Sequence, residues 1–247
     1  MIRLLAMREL RSLFAMPSTW FILAALQFVL AWRFLAKLED FLELQPQFAQ
    51  IANLPGVTTM FVTPRFYEVA LLLMILVPLF TMRLIAEERR NQTFALLLSA
   101  PLSDLHIVLG KFLGLLVFLG LLMSGVVVML YSLALGTALD HGLMLSNILG
   151  LFLLTASYIA LGLYISALTA QPIIAAIGAL AVLLGLWLAD VSAVAEDSPW
   201  HAISPLHHFQ NFNDGLLDSS DAVFFVLFTT VFLLLAIRRL RNNRVYG

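Results

Sequence analysis

The side chains most able to carry out chemistry lie close together in the last quarter of the sequence. His201, His207 and His208 precede Asp214 and Asp218, and imidazole with carboxylate is a ligand set that suits Zn²⁺. Adjacent side chains do not face the same way on a helix, however. His207 and His208 would therefore not both reach one ion, and the spacing favours a plain interfacial loop. We predict no metal ligands in this chain.

Motifs for nucleotide binding or covalent chemistry are absent from the sequence. It contains no G-x-x-x-x-G-K-[ST] phosphate loop and no H-E-x-x-H zinc motif. The absence of cysteine excludes disulfides, thiolate metal sites and cysteine nucleophiles. No buried catalytic pair is evident in the apolar runs, so an intramembrane enzyme is a poor interpretation. We predict a non-catalytic chain that binds no cofactor itself.

The composition identifies the class of protein. Of 247 residues, 62% are hydrophobic and 12% are charged, whereas soluble domains have about 45–50% apolar and about 25% charged residues. This number of charged residues is too small to cover a water-facing surface. The chain is therefore an integral membrane protein. The net charge of −1 gives no indication of a nucleic-acid partner.

Six apolar runs are long enough to cross a bilayer, which requires about 20 helical residues. They must be helices because lipid-exposed backbone has to satisfy its own hydrogen bonds, and continuous apolar runs do not suit a β-barrel. The predicted spans cover residues 17–36, 69–85, 112–135, 148–168, 173–189 and 222–237. The fold class is thus an all-α membrane protein with six transmembrane helices, preceded by an amphipathic interfacial helix at 1–15.

Basic residues are distributed unevenly between the two sides of this six-span arrangement. Eleven of the 14 Lys and Arg residues lie at the N-terminus, between spans two and three, or at the C-terminus. The positive-inside rule therefore predicts that both termini are cytoplasmic. The opposite side carries the loop at 37–66 and the segment at 190–221, which contains no Lys or Arg. No ionisable group stands near a span midplane, which counts against an ion-coupled carrier.

The segment at 87–104, between spans two and three, combines charge with an apolar stripe. Its charged residues are Glu87, Glu88, Arg89 and Arg90. Phe94, Leu97 and Leu98 share one helical face, and Ser103 is a candidate cap for the next helix. By periodicity alone, a short helix along the membrane and a simple turn between two spans fit equally well.

The same segment resembles the coupling helix of ABC-2-type permeases, which docks on the nucleotide-binding subunit in that family. The shared pattern is E-E-R-R-x-x-T-x-x-x-L-L-x-x-P-x-S. Asn91 and Gln92 stand where the family usually has a glycine before Thr93. The resemblance implies an ATPase-docking set of Glu87, Glu88, Arg89, Arg90, Thr93, Phe94, Leu97 and Leu98.

A second pattern, on the opposite side of the membrane, is similar to the GldF branch of gliding-motility-associated permeases. That branch has S-P-x-x-H-F, then a glycine, then D-x-x-Y-F. The matching residues here are Ser204, Pro205, His208, Phe209, Gly215 and Asp221. The chain departs from the branch at Phe224-Phe225, which replaces Tyr-Phe.

The resemblance implies a permease subunit that couples ATP hydrolysis by a separate ATPase to export or to conformational work across a bacterial inner membrane. ATP and Mg²⁺ would be bound by that ATPase, expected in two copies. The second permease subunit would be identical or GldG-like, with a large periplasmic domain; membrane lipid is the remaining partner. The alternative is a mechanotransmission or scaffold subunit that passes ATPase motion to periplasmic partners without moving a substrate.

Overall fold

The computed structural model describes residues 1–48, 58–92, 103–137, 139–193 and 198–246. Within these ranges the chain consists of helices and connecting turns and contains no strand. Six helical segments are long and apolar enough to cross a membrane. The predicted all-α class with six transmembrane helices is therefore confirmed.

The helices extend further than the apolar runs that predict them. They are α1 (Ile2–Ala15), α2 (Pro17–Phe48), α3 (Thr63–Met82), α4 (Asp104–Tyr131), α5 (His141–Leu168), α6 (Pro172–Val191), α7 (Pro205–Asn213) and α8 (Ser219–Tyr246). Two π-helical segments, Thr58–Val62 and Arg83–Glu87, continue α3 at its two ends, and the turn Glu88–Arg90 follows. Helix thus continues into the predicted loop at 37–66, because polar residues end an apolar run without ending backbone hydrogen bonding.

Short polar side chains begin several helices by accepting backbone N–H bonds that the first turn leaves free. Asp140 Oδ1 accepts from Gly142 N at 2.8 Å at the start of α5. The predicted cap Ser103 accepts from His106 N at the start of α4. Before α8, the Ser220 backbone N–H donates to Asp218 Oδ1 at 3.0 Å and holds the pKa of that carboxyl below its usual value.

Helix α5 lies at the centre of the bundle and packs on α3, α4, α6, α7 and α8. Small residues allow its neighbours to approach closely. A Cβ added at Gly162 would overlap the side chain of Thr81 on α3. At Gly150 it would lie 2.5 Å from the Cβ of Phe212 on α7.

Helix α1 and the C-terminal part of α8 lie at one end of the bundle. There α1, the turn after α3 and the start of α4 meet through Glu9, Glu88 and Lys111, and Arg239 of α8 is within electrostatic reach of Arg89. We refer to this as the basic end. The opposite, acidic end holds the C-terminus of α6, the start of α5 and α7.

Helix α7 occupies part of the segment at 190–221, where the sequence favours a loop. Leu206, Phe209 and Phe212 are buried, and their spacing of three places them on one helical face. These residues pack α7 against α5. The prediction of a plain interfacial loop is wrong for residues 205–213, because this apolar stripe stabilises a helix only when α5 is present to cover it.

Candidate functional site

A buried lysine joins three elements at the basic end. Lys111 Nζ of α4 lies 2.7 Å from Glu88 Oε1 and 3.4 Å from Glu9 Oε2 of α1. The Lys111 side chain is 6% exposed, and a buried ammonium is costly unless carboxylates compensate it. The two ion pairs therefore hold α1 and the turn after α3 against the start of α4.

Two glycines of α4 allow α1 to lie directly against it. A Cβ at Gly110 would stand 2.5 Å from Leu5 Cβ, and one at Gly114 would stand 2.8 Å from Glu9 Cβ and 3.0 Å from the Ala6 carbonyl oxygen. Backbone atoms cannot move aside as a flexible side chain can. The glycine pair is thus the surface on which α1 is seated.

A single hydroxyl group of α5 supports the π-helical end of α3. The Ser166 Oγ accepts from the backbone N–H groups of Ile85 at 3.3 Å and Ala86 at 3.1 Å, and it donates to the Met82 carbonyl oxygen at 3.3 Å. A π-helical segment departs from the α-helical hydrogen-bond pattern, and Ser166 provides partners for its backbone groups. The end of α3 is therefore linked to α5 as well as to α4.

The four predicted docking charges, Glu87–Arg90, form what we name the charged corner. Glu88 contacts Lys111 inside the chain, Glu87 and Arg89 are partly buried, and Arg90 is exposed. Gln92, two residues further on, has a φ of 57°, a left-handed conformation that glycine adopts without strain. Thr93, Phe94, Leu97 and Leu98 lie outside the described residues.

Two clefts adjoin the charged corner. One, of about 350 Å³, is lined by Arg90, Gln171, Pro172 and Ile173, and so lies between the corner and the turn that connects α5 to α6. The other, of about 230 Å³, lies between α1 and the π-helical segment, and Glu87 contributes to its wall. The corner therefore presents side chains to two recesses at the basic end.

The six motif residues at the acidic end occupy one structural unit around α7. Ser204 accepts from the His207 N–H to cap the helix, and Pro205 follows in the first turn. Phe209 is fully buried. Gly215, with a φ of 84°, follows the C-terminal end of α7 in a conformation that favours glycine.

The remaining two motif residues link α7 to α8. His208 Nδ1 lies 2.5 Å from Asp221 Oδ1, and His208 Nε2 lies 3.2 Å from the Ala202 carbonyl oxygen. Asn211 Nδ2 donates to Asp221 Oδ2 at 2.9 Å. The sequence pattern brought His208 and Asp221 into one motif but did not indicate that they are in contact.

The other two histidines of this segment meet a carboxylate that the spacing did not suggest. His201 Nδ1 and His207 Nδ1 lie 2.6 Å and 3.3 Å from Asp190 Oδ1, so Asp214 and Asp218 are not their partners in this arrangement. The three ligand atoms lie within 4.8 Å of one another. Asp190 stands at the end of a predicted span, and no spacing rule links it to a helix that begins at Pro205.

Ion pairs also account for the basic residues that lie away from the basic end. Arg33 of α2 binds Glu68 of α3 through two nitrogens, at 2.6 Å and 3.2 Å. Arg65 Nη1 lies 2.7 Å from the same carboxylate, and Lys37 Nζ lies 2.9 Å from Asp40. All three exceptions to the charge segregation therefore have carboxylate partners, and the Arg33 pair joins α2 to α3.

A family model described as ABC-2 family transporter protein matches residues 4–244. No curated protein matches the chain. The matched region includes α1 from its third residue onward, all six spans, the charged corner and α7.

Proposed function

Because the chain belongs to the ABC-2 family of transporter proteins, we propose that it is the permease subunit that receives conformational work from a separate ATPase at the charged corner. Hydrolysis of ATP, with Mg²⁺, takes place in that partner, and this chain binds neither. The proposal places both termini in the cytoplasm of a bacterial inner membrane, since eleven of the 14 basic residues belong to the end that carries them.

The observation that carries this proposal is the rigid attachment of the charged corner to the bundle. Lys111 ties Glu88 to α4, and Ser166 ties the preceding π-helical segment to α5. A displacement applied at the corner is therefore transmitted to α4 and α5 rather than absorbed in a loose turn. Arg90 is exposed beside a cleft and can form charge-assisted hydrogen bonds with an acidic groove of the ATPase.

A second permease subunit completes the proposed assembly. The most apolar parts of α2 and α6 are less than one-third buried within the chain. Large exposed side chains on these helices are Trp20, Phe21, Phe28, Trp32, Ile173, Ile174 and Ile177. Lipid and a second subunit together cover these faces, and that subunit is either a second copy or a GldG-like protein with a large periplasmic domain. The unit around α7 agrees with membership in the GldF branch.

Mechanotransmission to periplasmic partners is the second candidate function. It is favoured by the attachment of α7, which contacts α5 at Gly150 and α8 through the His208–Asp221 pair. Movement of α5 or α8 would displace α7 with them. A subunit of this kind would present the segment at 190–221 as its output surface and would move no substrate.

Co-purification from the native membrane tests the proposal. The affinity-tagged chain should retain an ABC ATPase, identified by mass spectrometry, and should hydrolyse ATP only in its presence. We expect Arg90→Glu to lose the ATPase, because breaking a desolvated charge pair costs about 2–5 kcal/mol. Lys37→Glu, a matched reversal of an exposed basic residue at the acidic end, should retain it. Equal retention by both variants would remove Arg90 from the docking surface, and ATP turnover by the isolated chain would overturn the permease assignment.

A further inference from the structure

We propose that Asp190, His201 and His207 form a binding site for a divalent transition-metal ion, with Zn²⁺ as the best fit, at the acidic end. This inference does not depend on the transport function, and it differs from the expectation drawn from sequence spacing. One carboxylate and two imidazoles from three separate segments converge here. They come from the end of α6, from the turn before α7 and from the first turn of α7.

Charge balance provides the first argument. The Asp190 side chain is 7% exposed, and a buried carboxylate requires a cation or strong hydrogen bonds to compensate its charge. The sequence from 190 to 221 contains no Lys or Arg, and the ion pairs recorded for Asp190 are with His201 and His207. A divalent ion bound between the two neutral imidazoles would supply the positive charge that this segment lacks.

Geometry provides the second argument. The Nδ1 atoms of both histidines face the same oxygen, Asp190 Oδ1, at 2.6 Å and 3.3 Å. Zn²⁺ binds nitrogen and oxygen at about 2.0–2.1 Å in a tetrahedral arrangement, so its ligand atoms stand roughly 3.3 Å apart. The distance from His207 already has this value, and His201 requires a shift of less than about 1 Å.

The spacing of the two imidazole rings agrees with a shared ion. The ring centres of His201 and His207 are 4.6 Å apart. With zinc–nitrogen bonds of about 2 Å, two imidazoles on one tetrahedral ion have ring centres about 5 Å apart. Three protein ligands leave the fourth position for water, and the partly exposed His207 side chain gives an ion a path from solution.

The adjacent histidine provides an internal contrast. Both ring nitrogens of His208 face acceptors of their own, Asp221 on one side and the Ala202 carbonyl on the other. His208 therefore serves as a structural link between α7 and α8, and it is not a ligand. A bound ion would add a second link, from the end of α6 to α7. Helix α7 would then be attached to two spans, α6 and α8.

Metal titration of the purified full-length chain tests the site. The chain should carry an affinity tag without histidine, be treated with a chelator, and then be titrated with Zn²⁺ by calorimetry and with Co²⁺ by visible absorption. We expect one ion per chain and a Co²⁺ spectrum typical of low coordination number. Asp190→Asn and His207→Gln should each weaken binding by more than about 100-fold, since loss of even an outer-shell partner costs about 10–100-fold.

Controls separate ligand loss from misfolding. His141→Gln changes a histidine elsewhere at the acidic end and should bind Zn²⁺ as the unmodified chain does. Each variant should also elute as a folded species, and Zn²⁺ should raise the melting temperature of the unmodified chain but not of Asp190→Asn. The proposal is overturned if the unmodified chain binds no ion. It is also overturned if the triple variant Asp190→Asn, His201→Asn, His207→Gln binds Zn²⁺ as tightly as the unmodified chain does.

Discussion

Reversal of the Glu88 charge should destabilise the permease itself, independently of any partner. Glu88→Lys would replace a carboxylate that lies 2.7 Å from the Lys111 ammonium with a second ammonium. Removal of one member of a buried ion pair costs about 3–5 kcal/mol. Here Glu88 is 23% exposed and Glu9 remains near Lys111, so we expect a smaller loss of about 2–3 kcal/mol.

The assay is thermal unfolding of the purified chain in detergent. For a chain of this size, 1 kcal/mol corresponds to about 2–4 °C in melting temperature, so the loss predicts a decrease of roughly 5–10 °C. Glu87→Lys is the matched control, because Glu87 is the adjacent residue of the same charged corner and has no recorded ion pair with Lys111. It should shift the melting temperature by less than about 2 °C, since a partly exposed carboxylate outside the Lys111 ion pairs contributes little to stability.

A charge exchange provides the refuting result. The triple variant Glu9→Lys, Glu88→Lys, Lys111→Glu restores opposite charges on both sides of position 111 and should recover at least half of the lost stability. If Glu88→Lys has the same melting temperature as Glu87→Lys, or if the charge exchange recovers none of the lost stability, the Lys111 pair does not hold the charged corner. Destabilisation by Glu88→Lys also means that loss of an ATPase in this variant cannot be assigned to docking, and for this reason Arg90 is the better probe.

Three further predictions concern the seat of α1, the π-helical segment and the topology. Gly114→Val should displace α1, because its Cβ would approach the Ala6 carbonyl oxygen to 3.0 Å. Disulfide cross-linking between cysteines introduced into α1 and α4 should report the loss. Gly120→Val should cross-link normally, because an added Cβ there would meet no atom of another helix within 4 Å. Ser166→Ala leaves buried N–H groups without their partner at a cost of about 1–3 kcal/mol, and hydrogen exchange at Ala86 should accelerate while that at residues near Gly120 stays unchanged. A periplasm-dependent reporter fused to the C-terminus should be inactive, and activity would contradict the cytoplasmic termini.

The membrane spans could be predicted from sequence because each depends only on its own residues. A run of about 20 apolar side chains must cross as a helix whatever its neighbours are. Helix starts are equally local, so the cap at Ser103 was predicted from its residue type. The motif at the acidic end can also be recognised from sequence, since its residues from Ser204 to Asp221 lie within one short segment.

Contacts between helices were decided only by the tertiary structure. The sequence identifies Lys111 only as a basic residue near the start of a span. The packing of α1 and the charged corner on α4 shows that it is buried between Glu9 and Glu88. Gly110 and Gly114 likewise cannot be distinguished by sequence from other glycines of membrane helices, and only the structure shows that α1 packs on them.

The histidines of the acidic end show the same division most clearly. Helical periodicity correctly separates His207 from His208, because it depends on backbone geometry alone. It does not identify Asp190 as the partner of His207, since that contact forms only when α7 packs against the end of α6. Local chemistry along the chain thus determines which segments cross the membrane and which side chains are available. The partners that lie on other helices depend on how the helices pack, which no short stretch of sequence encodes.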